Sequence, residues 1–330
     1  MKIHCSFLPL LGAALAMIAS AAAHGWIQAA TEDAPIVPRA YIIELYDDQD
    51  MNSFYNDLDA ANVKADPRLN LSYSLFKGYS FQLKNMSDDD ADVAAQKTSE
   101  MPNVRKIWPV RVRNIPKVKR VSTGGVGASS LPTELVGTGG IGGSRLKGKK
   151  RQQPVDDFWT PNIASRINKR RAEGYTGAGI RIGIVDTGVD YNHPVLGNGC
   201  FGPGCLISYG TDLVGDSFTG LNQPVPDPDP YDSCVGHGTH VSSTIAAQAN
   251  ELGFTGATPD VTLGMYRVFG CEGGSSDDIL IAAFNQAYED GSEIITASIG
   301  GPSGWSEESW AVSIQRIAEA GVPCTVSTGN

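Results

Sequence analysis

The run Ile180-Arg181-Ile182-Gly183-Ile184-Val185 is apolar at nearly every position and stops at Asp186-Thr187-Gly188. A strand with one wet face alternates apolar and polar residues. A strand that does not alternate has to be buried on both faces, which is the condition of a parallel sheet covered by helices on each side. Further apolar runs at 261–268, 293–299 and 322–327 read as strands, with helical patterns at 276–288 and 305–320 among them. This alternation predicts an α/β fold with a doubly wound parallel sheet. In open α/β sheets functional groups collect at the carboxyl ends of strands, and Asp186 stands at such an end.

A second constraint is Gly236-His237-Gly238-Thr239-His240-Val241. Two glycines remove the Cβ atoms on either side of an imidazole, so another chain can approach it closely. Thr239 is expected to cap a helix over 240–247, whose small and apolar residues suit deep packing. A rigid, reachable histidine can take and return a proton near neutral pH, and His237 is read as a general base. Asp186 supplies a carboxylate able to hold that imidazole in the proton-accepting tautomer.

Upstream, residues 1–23 have a basic start at Lys2, an apolar run over 7–18 and small residues at 19–23, which together read as a secretory signal peptide. No later stretch approaches the roughly 20 apolar residues of a membrane span, so no membrane partner is expected. Residues 38–112 read as a small unit with strands at 41–45, 69–75, 78–83 and 104–112 and helices at 51–61 and 88–101. That βαββαβ order predicts a ferredoxin-like α+β module. Asn70-Leu71-Ser72 and Asn85-Met86-Ser87 on it have the form of glycosylation acceptors. Residues 113–157 are basic and rich in Gly and Ser, with Val118-Lys119-Arg120 and Lys149-Lys150-Arg151, and read as an exposed linker open to processing proteases. The remainder, 158–330, holds the α/β pattern.

The formal charge of −10 argues against a nucleic-acid partner. Of the six cysteines, Cys5 leaves with the signal peptide. Export permits disulfides; Cys200 and Cys205 flank a Gly-Pro-Gly turn and suit a local bridge, and Cys234 with Cys271 is a second pairing. The odd count leaves one thiol unpaired or points to a partner outside this sequence.

Ile184-Val185-Asp186-Thr187-Gly188-Val189-Asp190 and Gly236-His237-Gly238-Thr239-His240-Val241, in that order, resemble the aspartate and histidine motifs of the subtilisin-like serine proteases. Ala297-Ser298-Ile299-Gly300-Gly301 is similar to the family's substrate-pairing strand, and Ser327-Thr328-Gly329-Asn330 to the segment ending in its oxyanion-hole asparagine. The cysteine-rich stretch 199–205 resembles secreted fungal members of the minor extracellular type. The resemblance implies a secreted serine endopeptidase acting on polypeptides. Asp186, His237 and Asn330 would be its catalytic groups, and Ser298, Ile299, Gly300 and Gly301 its substrate-binding residues. It implies that 38–112 is an inhibitory propeptide bound in the cleft.

In the family the nucleophile follows that asparagine in a Gly-Thr-Ser motif, and no Gly-Thr-Ser or Gly-x-Ser-x-Gly occurs in the 330 residues. The sheet is accordingly expected to be incomplete, with the chain truncated at its carboxyl end and inactive as written. A non-enzymatic inhibitor or chaperone fragment is the competing class. A pepsin-like reading of Asp186-Thr187-Gly188 needs a second such triplet, which is absent. His237 and His240 lack the i, i+4 spacing and intervening glutamate of a zinc helix, and no metal site is assigned. No cofactor is expected; calcium at the acidic, proline-rich run 224–232 is the one candidate, weighed against a solvated rigid loop.

Overall fold

A computed structural model describes residues 35–46, 51–61, 63–114, 160–250, 254–300 and 307–327. The signal-peptide segment 1–23, most of the linker, Gly301 and Asn330 lie outside the described residues.

The first part runs β1 (Ile36–Leu45), α1 (Met51–Ala60), β2 (Ala65–Ser72), β3 (Lys77–Leu83), α2 (Asp88–Ser99) and β4 (Val104–Asn114). Its strands pair antiparallel in the order β2-β3-β1-β4. Alternate residues of β1 and β3, such as Ile43, Leu45, Phe81 and Leu83, pack on Phe54, Leu58 and Ala91 of the two helices. The start of α2 is set by Ser87, whose hydroxyl accepts from Asp90 N at 3.1 Å, and by Asp88, Asp89 and Asp90 in the first turn, where carboxylates suit the positive end of the helix dipole. β2 starts at Ala65 rather than at Leu69, because it is the outermost strand and an edge tolerates the missing donor of Pro67.

The second part runs α3 (Thr160–Ala164), α4 (Ile167–Ala172), β5 (Arg181–Asp186), β6 (Ile207–Asp212), α5 (His237–Ala246), β7 (Thr262–Arg267), β8 (Gly274–Ser276), α6 (Asp277–Glu289), β9 (Ile294–Ala297), α7 (Ser309–Glu319) and β10 (Cys324–Val326). Five strands form a wholly parallel sheet in the order β10-β9-β5-β7-β6. The two faces of β5 are buried in different cores: Ile182 and Ile184 pack with Ala246 of α5, whereas Val185 packs with the apolar side of α6. Gly183 lets α6 come close, since a Cβ there would press on Ala287 and Ser292. Later strands add on both sides of β5, which places the switch in strand order at its carboxyl end. Sequence patterning missed β6 and β8. The first is an edge strand buried fully only at its two ends, and the second is three small residues with no periodicity to read.

The two parts share one core. Phe76, Trp108 and Val110 of the first lie in the same apolar cluster as Ile279 and Phe284 of α6 and Trp310 and Ile317 of α7. Polar contacts rim it: Trp108 Nε1 donates to Glu307 O at 2.7 Å, Ser74 N to Glu289 Oε1 at 2.7 Å, and Arg316 Nη2 pairs with Glu44 at 2.7 Å. β4 also continues to Asn114, so Arg113 and Asn114, read from sequence as the start of the linker, belong to a sheet. The cause is a distant partner: Val112, Arg113 and Asn114 pair antiparallel with Ser276, Ser275 and Gly274 of β8.

Candidate active site

Asp186 is the last residue of β5 and is fully buried. His237 is the first residue of α5, reached through Gly236, whose φ of 82° is the left-handed conformation glycine adopts without strain. The helix thus begins earlier than the sequence suggested, and Thr239 does not cap it. Its Oγ1 instead accepts from Asp190 N at 2.8 Å, tying the helix to the loop after β5.

His237 Nδ1 lies 2.7 Å from Asp186 Oδ1. The same oxygen accepts from Thr187 N at 2.7 Å, which holds the carboxylate in place. With Nδ1–H donating to the carboxylate, Nε2 is the basic nitrogen, and a side chain 13% exposed keeps it reachable. The hydrogen bond from Asp186 raises the His237 pKa above its usual value; burial opposes the shift, and the carboxylate charge reinforces it. Gly238 is needed for this approach, because a Cβ there would run into Gly188 O and the Asp186 side chain.

Two supporting residues were not singled out from sequence. Thr187 Oγ1 donates to Asp232 Oδ2 at 2.9 Å and accepts from Gly238 N at 3.0 Å. Asp232 in turn accepts from Cys234 N, Val235 N and Gly236 N at 2.8–2.9 Å, so one buried carboxylate shapes the whole turn before His237. The only prior signal was an Asp four residues before the glycine, inside a run read for its calcium potential.

Ser298, Ile299 and Gly300 follow β9 directly. β9 lies beside β5 in parallel register, Ile184 opposite Thr296, so the same register carried two residues on brings Ser298 level with Asp186. Ile299 is buried, Ser298 partly so, and Gly300 exposed.

Cys200–Cys205 and Cys234–Cys271 are both bridged, each with Cα atoms 5.5 Å apart, and Cys324 is the free thiol among the described residues. The second bridge ties the turn before His237 to the loop before β8. Asp216 approaches Cys234 and Cys271 closely enough to suggest a metal, but both sulfurs are bridged and Asp216 pairs with Arg267 at 2.7 Å. The run 224–232 does not fit a resident calcium ion. Asp227 Oδ1 accepts from Asp229 N, Asp229 takes the Tyr191 hydroxyl and Tyr231 N, and Asp232 serves the turn above. Those oxygens point to separate local donors instead of converging.

A buried carboxylate at the switch point of a doubly wound sheet, bonded to a histidine at a helix start, is the arrangement of a subtilisin-like α/β fold. Residues 177–330 match the model of the subtilase family, peptidase S8, and this stretch is a domain of that family. It is 36% identical over 159 residues to the minor extracellular protease Vpr of Bacillus subtilis, and 31% identical over 168 residues to subtilisin DY of Bacillus licheniformis. The matches take in 48% and 50% of this chain but 18% and 52% of those proteins, so the chain spans at most about half the length of these relatives. The fold is similar to that of the epidermin leader peptide processing serine protease of Staphylococcus aureus, with TM-score 0.55 and 17% identity over 88% of this chain and 60% of that one. No helix among the described residues is long and apolar enough to cross a membrane.

Proposed function

We propose that the chain supplies the acid–base half of a secreted serine endopeptidase that hydrolyses polypeptides. The observation that carries this reading is the 2.7 Å bond between Asp186 and His237 at the switch point of the sheet. In this reading His237 Nε2 removes the proton from a serine hydroxyl as that oxygen attacks the scissile carbonyl. The proton then passes to the leaving amine, and water repeats the cycle on the acyl-enzyme. Asp186 fixes the tautomer and stabilises the imidazolium. Asn330 is proposed as an oxyanion donor, and Ser298, Ile299, Gly300 and Gly301 as the segment that pairs with substrate backbone.

Residues 38–112 are proposed to be a ferredoxin-like propeptide that docks on α6 and α7 and lays the end of β4 along the cleft. The strand order β2-β3-β1-β4 and the β4–β8 pairing support this. Residues 1–23 are proposed as the export signal. Calcium and other cofactors have no role in this proposal. The comparisons favour the peptidase over a purely inhibitory fragment, since they match the stretch that carries Asp186 and His237.

The test has two arms. Protease secreted from the gene is assayed on casein with and without His237→Ala; a loss of about 10⁶ in kcat is expected, and unchanged hydrolysis sinks the assignment. The 330-residue polypeptide contains no family-type serine motif and should resist a fluorophosphonate probe. Stoichiometric labelling would remove the claim that it is inactive.

A further inference from the structure

The chain contains two Asn-x-Ser triplets, Asn70-Leu71-Ser72 and Asn85-Met86-Ser87, and no Asn-x-Thr. Both lie in the first part, and residues 158–330 hold none. The first falls on β2, the outermost strand of the sheet β2-β3-β1-β4-β8, with β3 as its one strand partner among the described residues. Such an edge offers unpaired backbone groups to any other extended chain, and proteins guard it with proline, charge or cover. Here the guarding is uneven. Pro67 removes a donor from the first half of β2, and Asp66 pairs with Lys84 beside it. Arg68 adds no outward charge, because it is buried against Asp278. The second half, Leu69-Asn70-Leu71-Ser72, has neither a proline nor a charged residue.

The strand presents its acceptor triplet to solvent. Leu71 is fully buried, and in an extended chain its neighbours point to the opposite face, where Asn70 and Ser72 are both exposed. Asn70 Oδ1 accepts from Ser72 N at 2.9 Å, which leaves the Asn70 amide nitrogen and the Ser72 hydroxyl without partners among the described residues. The second triplet is built differently. Asn85 has a left-handed φ of 57°. The Ser87 hydroxyl donates to Asp90 Oδ2 at 2.7 Å and accepts from Asp90 N at 3.1 Å, so it is committed to the start of α2.

We propose that Asn70 carries an N-linked oligosaccharide, and that this glycan covers the half of the β2 edge that lacks any other guard. The donor is an oligosaccharide joined to a lipid pyrophosphate. Asn70 Nδ2 bonds to C1 of the first sugar as the bond from C1 to the pyrophosphate oxygen breaks. Nδ2 gives up one proton, the pyrophosphate leaves on its lipid, and nothing is oxidised or reduced. A bulky hydrated chain at this position blocks a second strand from pairing with Leu69 to Ser72. The proposal rests on the reading of residues 1–23 as an export signal, since export brings the chain to that donor.

The test begins with the chain made from its gene in the cells that export it. Precursor from the secretory compartment and protein from the medium are digested with trypsin. Cuts after Arg68 and Lys77 release residues 69–77, and cuts after Lys84 and Lys97 release 85–97, so the two triplets report separately. After peptide-N-glycosidase treatment in heavy-oxygen water, position 70 should appear as a labelled aspartate. Unlabelled Asn70 in chains that have lost residues 1–23 overturns the proposal and leaves the export reading intact. Chains that keep residues 1–23 and carry no sugar overturn both. The covering role is read from precursor by analytical ultracentrifugation. Asn70→Gln should self-associate at concentrations where the glycosylated chain is monomeric, whereas Asn70→Lys, which puts a charge on the edge in place of the sugar, should stay monomeric. A monomeric Asn70→Gln, or association of both variants alike, overturns the covering role. Should Asn70→Gln fail to fold, removing the glycan enzymatically from the folded protein poses the same question, with association expected and its absence overturning the proposal.

Discussion

Asp186 Oδ1 stands 2.7 Å from His237 Nδ1, joining the end of the central strand to the first residue of α5 across 51 positions of chain. The carboxylate favours the protonated ring, so His237 should titrate above the ordinary histidine value. The sign follows: its contribution to stability is complete below the unfolded pKa and is lost as pH rises through the folded one. A base must be neutral to act, so the rate of the active protein should climb as pH passes the raised pKa. Asp186→Asn should lower that pKa, as seen by NMR titration of the imidazole, and cost about 10⁴ in kcat. An unmoved titration would contradict the pairing.

Gly238→Ala should destabilise the domain by about 1–3 kcal/mol and weaken activity more than stability, because the new methyl group meets the Gly188 carbonyl and the Asp186 carboxylate. Urea denaturation and kcat measured on the same variant separate the two effects.

Removing one partner of the Arg68–Asp278 pair leaves a charge buried where side-chain exposure is 1% and 0%. Arg68→Ala should therefore cost about 3–5 kcal/mol, and hydrogen exchange should show the loss concentrated where the first part meets α6. The double change Arg68→Met with Asp278→Leu removes both charges and should cost much less. Equal losses from the single and double changes would refute the electrostatic account.

Burial pushes the Asp277 carboxyl up to about 6, outweighing Arg113, with Glu308 adding to the rise. A raised carboxyl pKa means that the packed state takes up a proton. Stability from this group is complete below its ordinary value near 3.8 and is lost as pH rises through about 6. Association of the first part with α6 should therefore tighten between pH 7 and pH 5, an effect that Asp277→Asn flattens. Hydrogen exchange of β8 amides at the two pH values reads this directly.

The Cys234–Cys271 bridge closes a separation of 37 residues and braces the turn leading to His237. Replacing both cysteines with serine should cost roughly 3–4 kcal/mol on the chain-entropy scale. Cys324, its thiol pushed up to about 11 by burial, should stay slow to alkylate at pH 8 until the protein unfolds.

Features written into short stretches of chain were legible. The two-sided apolar run of β5 announced a covered parallel sheet, and the glycines around His237 announced close approach, because both depend on neighbours along the sequence. What was illegible depended on distant partners. Arg113 sits in a segment whose composition suggests a solvated linker, and it is buried because Asp277 and Glu308 wait 164 and 195 residues later. Thr187 and Asp232 look like ordinary loop residues until the fold places one beside the other.

The sequence by itself determined the class of sheet, the order of the Asp186 and His237 motifs, and the cysteines suited to bridging, since these follow from residue type and local spacing. Only the tertiary structure decided that Asp186 and His237 meet at hydrogen-bonding distance, that a single sheet runs from β2 through β4 to β8, and that an arginine is the side chain buried at its far edge. Those outcomes are set by strand register and by the cost of burying charge. Both are properties of the assembled core, and no window of sequence contains them.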